Sequence, residues 1–204
     1  MTEDTELEID IQEEGLGFLV AEGHVRDIAD ELEELHYRSG SHFIYQLKVI
    51  ASHPSFFPVK DETNIFATGG EGGEDFDNLL NAARKAVEHG YKVFILPNPK
   101  GIRTADFIFE RKGVYRLYDL KTIQGKASVG NRLKESIGQS NRVLLYMTVD
   151  YNARLLASDI KKYFETNNDA IEVLIIRKNK FISVKRGLVD NVGFHRLLRK
   201  QYEK

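Results

Sequence analysis

The chain of 204 residues contains no cysteine, which excludes disulfides, thiolate catalysis and cysteine-ligated zinc. It also lacks any apolar run near the roughly 18 residues that a membrane-spanning helix needs. Its opening residues, MTEDTELEID, are acidic where a secretory signal would be basic. These absences lead us to expect a cytoplasmic protein with no membrane segment. Proline is scarce, and all four copies act as punctuation: Pro54 and Pro58 after one periodic stretch, Pro97 and Pro99 after another. The glycine cluster Gly69-Gly70-Glu71-Gly72-Gly73 has no following lysine and hydroxyl residue. It therefore reads as a linker rather than a phosphate cradle. No internal repeat is present.

What is there is a strong charge polarity hidden under a net charge of −2. Residues 1–76 carry 18 acidic and 4 basic side chains, a net −14, whereas residues 100–142 carry 10 basic against 4 acidic and residues 177–204 carry 9 against 2. Such asymmetry fits a downstream part that meets a polyanion and an upstream part that solvates or competes for the same surface; ordinary solvated faces would give the same counts. On the competing reading, removal of residues 1–70 should tighten nucleic-acid binding.

Periodicity divides the chain further. Ile28, Leu32 and Leu35 predict a helix over 25–37, and a second is expected over 42–51. From residue 74 the pattern becomes regular: a helix to Glu88 ended by His89-Gly90, a strand over 91–96, two strands within 101–121, a helix over 128–139 and an apolar strand over 142–147. A helix over 152–164, strands near 171–176 and 181–184, and a basic helix over 189–202 complete it. We therefore expect an acidic, mostly helical region over 1–73 and an α/β domain over 74–204.

The segment GIRTADFIFERKGVYRLYDLK, residues 101–121, is where chemistry concentrates. Lys112-Gly113 suits a two-residue turn. Counting outward pairs Arg111 with Val114 and Glu110 with Tyr115, and brings Asp106 opposite Asp119 on one face. Period two adds Lys121 to that face. Two bare carboxylates about 5 Å apart would repel by roughly 3 kcal/mol at an effective dielectric near 20, so a positive group is expected between them.

Asp106, Asp119 and Lys121 form the pattern D, twelve residues, D-x-K, which resembles the PD-(D/E)XK nuclease superfamily. The longer span GYKVFILPNPKGIRTADFIFERKGVYRLYDLKTIQGKASVGNRLKESIGQSNRVLL looks like the C-terminal tRNase domain of contact-dependent growth-inhibition toxins and its relatives on mobile elements. Asp106-Phe107 matches the first acidic element, with Ala105 where proline is usual. Asp119, Lys121 and Thr122 match the second, Arg132 and Gln139 the polar positions of the following helix, and Asn141-Arg142-Val143 the start of the last strand. The likeness spans residues 78–147, about a third of the chain. It implies an α/β fold of the α+β kind, a restriction-endonuclease-like mixed sheet flanked by helices. It also implies Mg²⁺ or Mn²⁺ held by Asp106 and Asp119, water activation by Lys121, substrate contacts from Thr122, Arg132 and Gln139, an RNA substrate, and a cognate inhibitor protein as partner. The family's further carboxylate from the preceding helix has no clear counterpart, with Asn78, Asn81 and Glu88 the candidates.

Other readings use the same residues. A DNA nuclease of a mobile element would present the same triad, and a nucleic-acid-binding module could keep the fold without catalysis. The histidines His24, His36, His42, His53, His89 and His195 invite a metal-independent RNase, though none has a recognisable spacing and His89 suits a helix cap. In the helix after the hairpin, Val129, Leu133 and Ile137 are expected to be buried, with Arg132 and Gln139 on a polar face. Arg196, Arg199, Lys200 and Lys204 could track a phosphate backbone, or simply solvate a terminal helix packed through Val192, Leu197 and Leu198.

Overall fold

A computed structural model describes residues 25–69, 73–125 and 128–204. The acidic start, His24 and most of the glycine cluster lie outside the described residues. Eight strands form one mixed sheet in sequence order: β1 (Phe57–Pro58), β2 (Ile65–Ala67), β3 (Lys92–Ile95), β4 (Phe107–Arg111), β5 (Val114–Ile123), β6 (Arg142–Met147), β7 (Glu172–Arg177) and β8 (Lys180–Lys185). Pairings β2–β3, β5–β6 and β6–β7 are parallel and the others antiparallel. The helices are α1 (Ile28–Glu34), α2 (Gly40–Ala51), α3 (Glu74–Glu88), α4 (Val129–Glu135), α5 (Ala153–Thr166), α6 (Arg186–Val189) and α7 (Phe194–Glu203). This is the mixed sheet flanked by helices that the resemblance implied.

Strands on both sides of residues 69–73 belong to the same sheet, since Ile65, Phe66 and Ala67 pair with Val93, Phe94 and Ile95. Leu32, Leu47 and Ile50 of the first two helices share a core with Phe94, Leu96, Ile108 and Leu117. Glycine and charge thus mark a change of surface at that point, while the apolar pattern runs on through it. Deleting residues 1–70 would remove two strands and two packed helices, so the truncation expected to tighten binding would damage the core instead.

The central strand β5 changes neighbour halfway along its length. Residues Val114–Tyr118 pair with β4, and residues Asp119–Ile123 pair with β6. Each edge of β5 is therefore half covered by a strand, leaving a notch on either side. Alternation sends Leu117 into the core under α1 and α2, and Ile123 into the core under α4, α5 and α7. Asp119 sits between them, where one helical layer gives way to the other. Tyr118 faces the opposite side, with Phe107, Phe109 and Ala82, Ala83 and Ala86 of α3.

Several boundaries differ from expectation for identifiable reasons. The helix expected over 128–139 ends at Glu135, with Gly138 at φ +83° in the turn that follows. Ile137 consequently points outward, 40% exposed, rather than extending the buried stripe of Val129 and Leu133. The basic terminal helix expected over 189–202 starts only at Phe194, after α6 has ended at Val189, and between them Asn191 Oδ1 accepts the Gly193 N–H at 2.7 Å in a turn. Val192 in that turn is fully exposed and Leu197 39% exposed, while Leu198 is buried.

Candidate nuclease site

The hairpin forms with the register counted from sequence: Arg111 opposite Val114, Glu110 opposite Tyr115, and so on to Phe107 opposite Tyr118. Lys112 and Gly113 both have positive φ, 54° and 79°, the signature of a two-residue turn whose twist matches the strands. One residue beyond the ladder the regular pattern stops. The Asp106 N–H donates to the Tyr118 carbonyl at 3.1 Å, and the Asp106 carboxylate accepts the Leu120 N–H at 2.6 Å. The side chain of Asp106 therefore fills the backbone position that β4 vacates.

Asp119 is 1% exposed. Its Oδ2 lies 2.8 Å from the Lys121 Nζ, but the approach is oblique, and neither carboxylate oxygen makes a directed hydrogen bond. The contact is an ion pair, since a charge interaction at this distance does not need the hydrogen-bond angle. Burial raises the Asp119 pKa to about 7, and the Asp106 charge adds to that rise while Lys121 opposes it. Burial also raises the pKa of Asp106, against the Leu120 N–H and Lys121. The Asp106 charge thus makes Asp119 harder to ionise, as between close carboxylates. From α5, the Tyr163 hydroxyl is pushed up by burial, with the Asp119 charge contributing.

A buried carboxylate with no backbone donor on either oxygen, a second carboxylate beside it and an ammonium within 3 Å fit a hard divalent cation, which takes oxygen ligands. The protein supplies two carboxylates for it. Among the described residues no group of three or more His, Asp or Glu side chains converges. The helix expected to bring a third cannot do so, because α3 packs on the sheet face away from Asp119. There Asn81 accepts from Arg84 at 3.1 Å and Glu88 pairs with Lys85 at 2.9 Å.

The remaining expected site residues are placed differently. Alternation turns Thr122, paired with Tyr146, to the face opposite Lys121. Arg132 donates to Glu135 Oε2 at 2.9 Å and Gln139 to the Glu135 carbonyl at 3.1 Å. Among the histidines, His53 Nε2 meets the Arg26 carbonyl at 2.8 Å and His89 Nδ1 the Lys85 carbonyl at 2.9 Å, so His89 closes its helix as expected.

Sequence reasoning missed the buried network beside the site. Glu172, 3% exposed, accepts from Tyr118 at 2.9 Å, Arg142 at 2.6 Å and Ser183 at 2.5 Å. Burial alone would raise its pKa, but these donors together hold it below the ordinary value. The only sequence signal was a lone glutamate at the start of an otherwise apolar strand. Sequence reasoning also missed a cleft of about 610 Å³ in the notch where β6 does not reach, closed by α1 and α2. Asp106, Asp119 and Lys121 do not line it, but their neighbours Ala105 and Leu117 do, together with Gln139.

No family model matches the chain, and no curated protein matches it. Among solved structures, a chain of the CdiA-CT/CdiI toxin and immunity complex from Burkholderia pseudomallei is similar to it over 57% of this chain and 92% of its own, at 14% identity and a TM-score of 0.37. No described helix is long and apolar enough to cross a membrane.

Proposed function

We propose that the protein is a metal-dependent nuclease that hydrolyses phosphodiester bonds in RNA, with tRNA the substrate favoured by the sequence resemblance. The observation that carries this reading is Asp119, buried with no hydrogen bond from the backbone and only the charged side chains of Lys121 and Asp106 against it. A purely structural buried acid has its acceptors satisfied, as Glu172 does. When bound by Asp106 and Asp119, Mg²⁺ or Mn²⁺ would supply Lewis acidity toward a phosphoryl oxygen.

The chain's own residues divide the other tasks. Asp106 is held in place by the Leu120 N–H, which limits its rotation. The Lys121 side chain remains 13% exposed, so its ammonium reaches both Asp119 and an incoming phosphate. There it orients the attacking water and offsets the negative charge that develops in the transition state. On this reading Gln139, which lines the adjoining cleft, contacts the substrate there, whereas Arg132 serves only if the substrate displaces Glu135. A cognate inhibitor protein belongs to the same reading, on the resemblance.

The convergence of only two carboxylates favours a second reading, a nucleic-acid-binding module without catalysis. Cleavage of total tRNA, a structureless RNA and plasmid DNA by wild type and Asp119→Ala, each with Mg²⁺, Mn²⁺ or EDTA, separates the two. Metal-dependent cutting that is lost in the variant supports the nuclease and names its substrate, RNA or DNA. Binding without cutting supports the module, and cutting in EDTA overturns the metal requirement.

A further inference from the structure

The cleft beside the carboxylates is one-sided in charge. Arg38, Arg103, Arg116 and Arg142 line it, and no Asp or Glu does. Three of these guanidiniums are partly committed: Arg38 to Glu34 at 2.8 Å, Arg142 to Glu172 at 2.6 Å, and Arg116, whose charge also acts on Glu172. Among the described residues Arg103 donates to the Glu135 carbonyl, which carries no formal charge to neutralise it. The floor is apolar, built from Leu35, Phe43, Leu47 and Leu117. At its mouth the first turn of α2 presents Ser39, Gly40 and Ser41, and Ser39 makes no side-chain cap. The N–H groups of that turn are therefore left for another acceptor.

We infer that this cleft is a recognition subsite for one unpaired nucleotide of the substrate, its phosphate on the arginine rim and its base against the apolar floor. The substrate class rests on the nuclease reading; the unpaired state rests on the cleft itself. About 610 Å³ lies within the range of small-ligand pockets and is too small for a duplex, whose bases are in any case stacked and inaccessible. A base face stacks on apolar and aromatic surface without regard to sequence, and arginine adds charge and a planar partner. The position fits as well. Ala105 and Leu117 belong to the cleft, while Asp106 follows Ala105 directly and Asp119 lies two residues beyond Leu117 on the same strand face. A strand seated in the cleft therefore passes the acids within the span of adjacent nucleotides. The two helices expected to repel nucleic acid would, on this inference, help to bind it.

The test is fluorescence anisotropy of the full chain in EDTA, with a labelled six-nucleotide single-stranded RNA and a blunt RNA duplex as probes. Arg38→Ala/Arg103→Ala removes two exposed rim charges, and Ser41→Asp places a carboxylate at the mouth. The aspartate is favourable in a first helical turn, so Ser41→Asp should melt no lower than wild type while binding more weakly. We expect the single strand to bind at least tenfold more tightly than the duplex, and both variants to lose at least tenfold on the single strand. The double variant should also flatten the salt dependence by about 0.7 in log–log slope, the share of one phosphate contact on a single strand. Variants that bind the single strand like wild type, or a duplex that binds equally well, would overturn the subsite. The two proposals fail separately: binding in the cleft without cleavage removes only the nuclease, and metal-dependent cleavage indifferent to both variants removes only the subsite.

Discussion

The Asp106 carboxylate accepts the backbone N–H of Leu120 at 2.6 Å, which fastens it to the strand that carries Asp119 and Lys121. A side chain here does what a strand carbonyl does elsewhere in the ladder. The separation of the two acids is thus set by the sheet rather than by loop conformation, the arrangement a metal site needs. It also makes Asp106 costly to change. Asp106→Ala leaves the Leu120 N–H without its acceptor, at about 1–3 kcal/mol, whereas Asp106→Asn keeps an oxygen for it. Thermal unfolding of the two variants should rank alanine below asparagine.

Asp119 should make stability depend on pH with a definite sign. Its folded pKa, about 7, lies above the unfolded value of 3.8, so the folded state holds the proton more tightly. The associated stability is complete below pH 4, falls as the pH rises and is gone above pH 7. Asp119→Asn carries no proton to lose. In EDTA the variant should therefore melt above wild type at pH 7.5, by a few kcal/mol at most, and the gap should shrink steadily toward pH 4. A constant gap across that range would show that Asp119 titrates normally.

A divalent cation should reverse that order at neutral pH. Binding to the native state alone stabilises by about 2.7 kcal/mol at a hundredfold excess over Kd, or several degrees in a chain of this size. Mn²⁺ should raise the melting temperature of wild type and leave Asp119→Asn unmoved. Because the ion displaces a proton from the acid pair, the gain should grow between pH 6 and 8. Calcium, with its preference for more oxygen ligands, provides a control for site size.

Much of this was legible from sequence because period-two patterning and turn chemistry are local. The turn at Lys112-Gly113 fixed the hairpin register, and the register alone brought Asp106 beside Asp119. Strand Arg142–Met147 was equally plain as an unbroken apolar run. What escaped depends on partners distant in sequence. The change of neighbour along β5, the cleft in the resulting notch and the placement of α3 on the far face are properties of the assembled sheet. Composition also misled where charge masked packing: the acidic first third contains Leu32, Leu47 and Ile50, each fully buried.

Glu172 should be the most sensitive polar residue outside the site. Three donors converge on it, and Tyr118, Arg142 and Ser183 come from three different strands. Glu172→Ala strands a largely buried guanidinium and should cost about 3–5 kcal/mol. Glu172→Gln retains most of the packing and one acceptor, so it should cost clearly less. Urea unfolding of both variants measures the difference. Equal losses would mean that packing volume, rather than charge, sets the residue's worth.

Lys121 tests whether the triad divides binding from chemistry. Its ammonium sits 2.8 Å from Asp119 Oδ2, and its side chain retains a small exposed surface. Lys121→Met keeps the apolar stem and removes the charge, so the fold should be preserved. With one positive neighbour gone, Asp119 is harder to ionise, and the Mn²⁺-induced rise in melting temperature should begin at a higher pH. The cation should still bind once both acids are ionised. Cleavage should fall by about 10²–10³ at saturating Mn²⁺, the usual loss when one preorganised donor to developing charge is removed. Recovery of activity on raising the pH would mean that Lys121 acts mainly through the charge state of Asp119. A loss independent of pH would place its effect on the reacting phosphate itself.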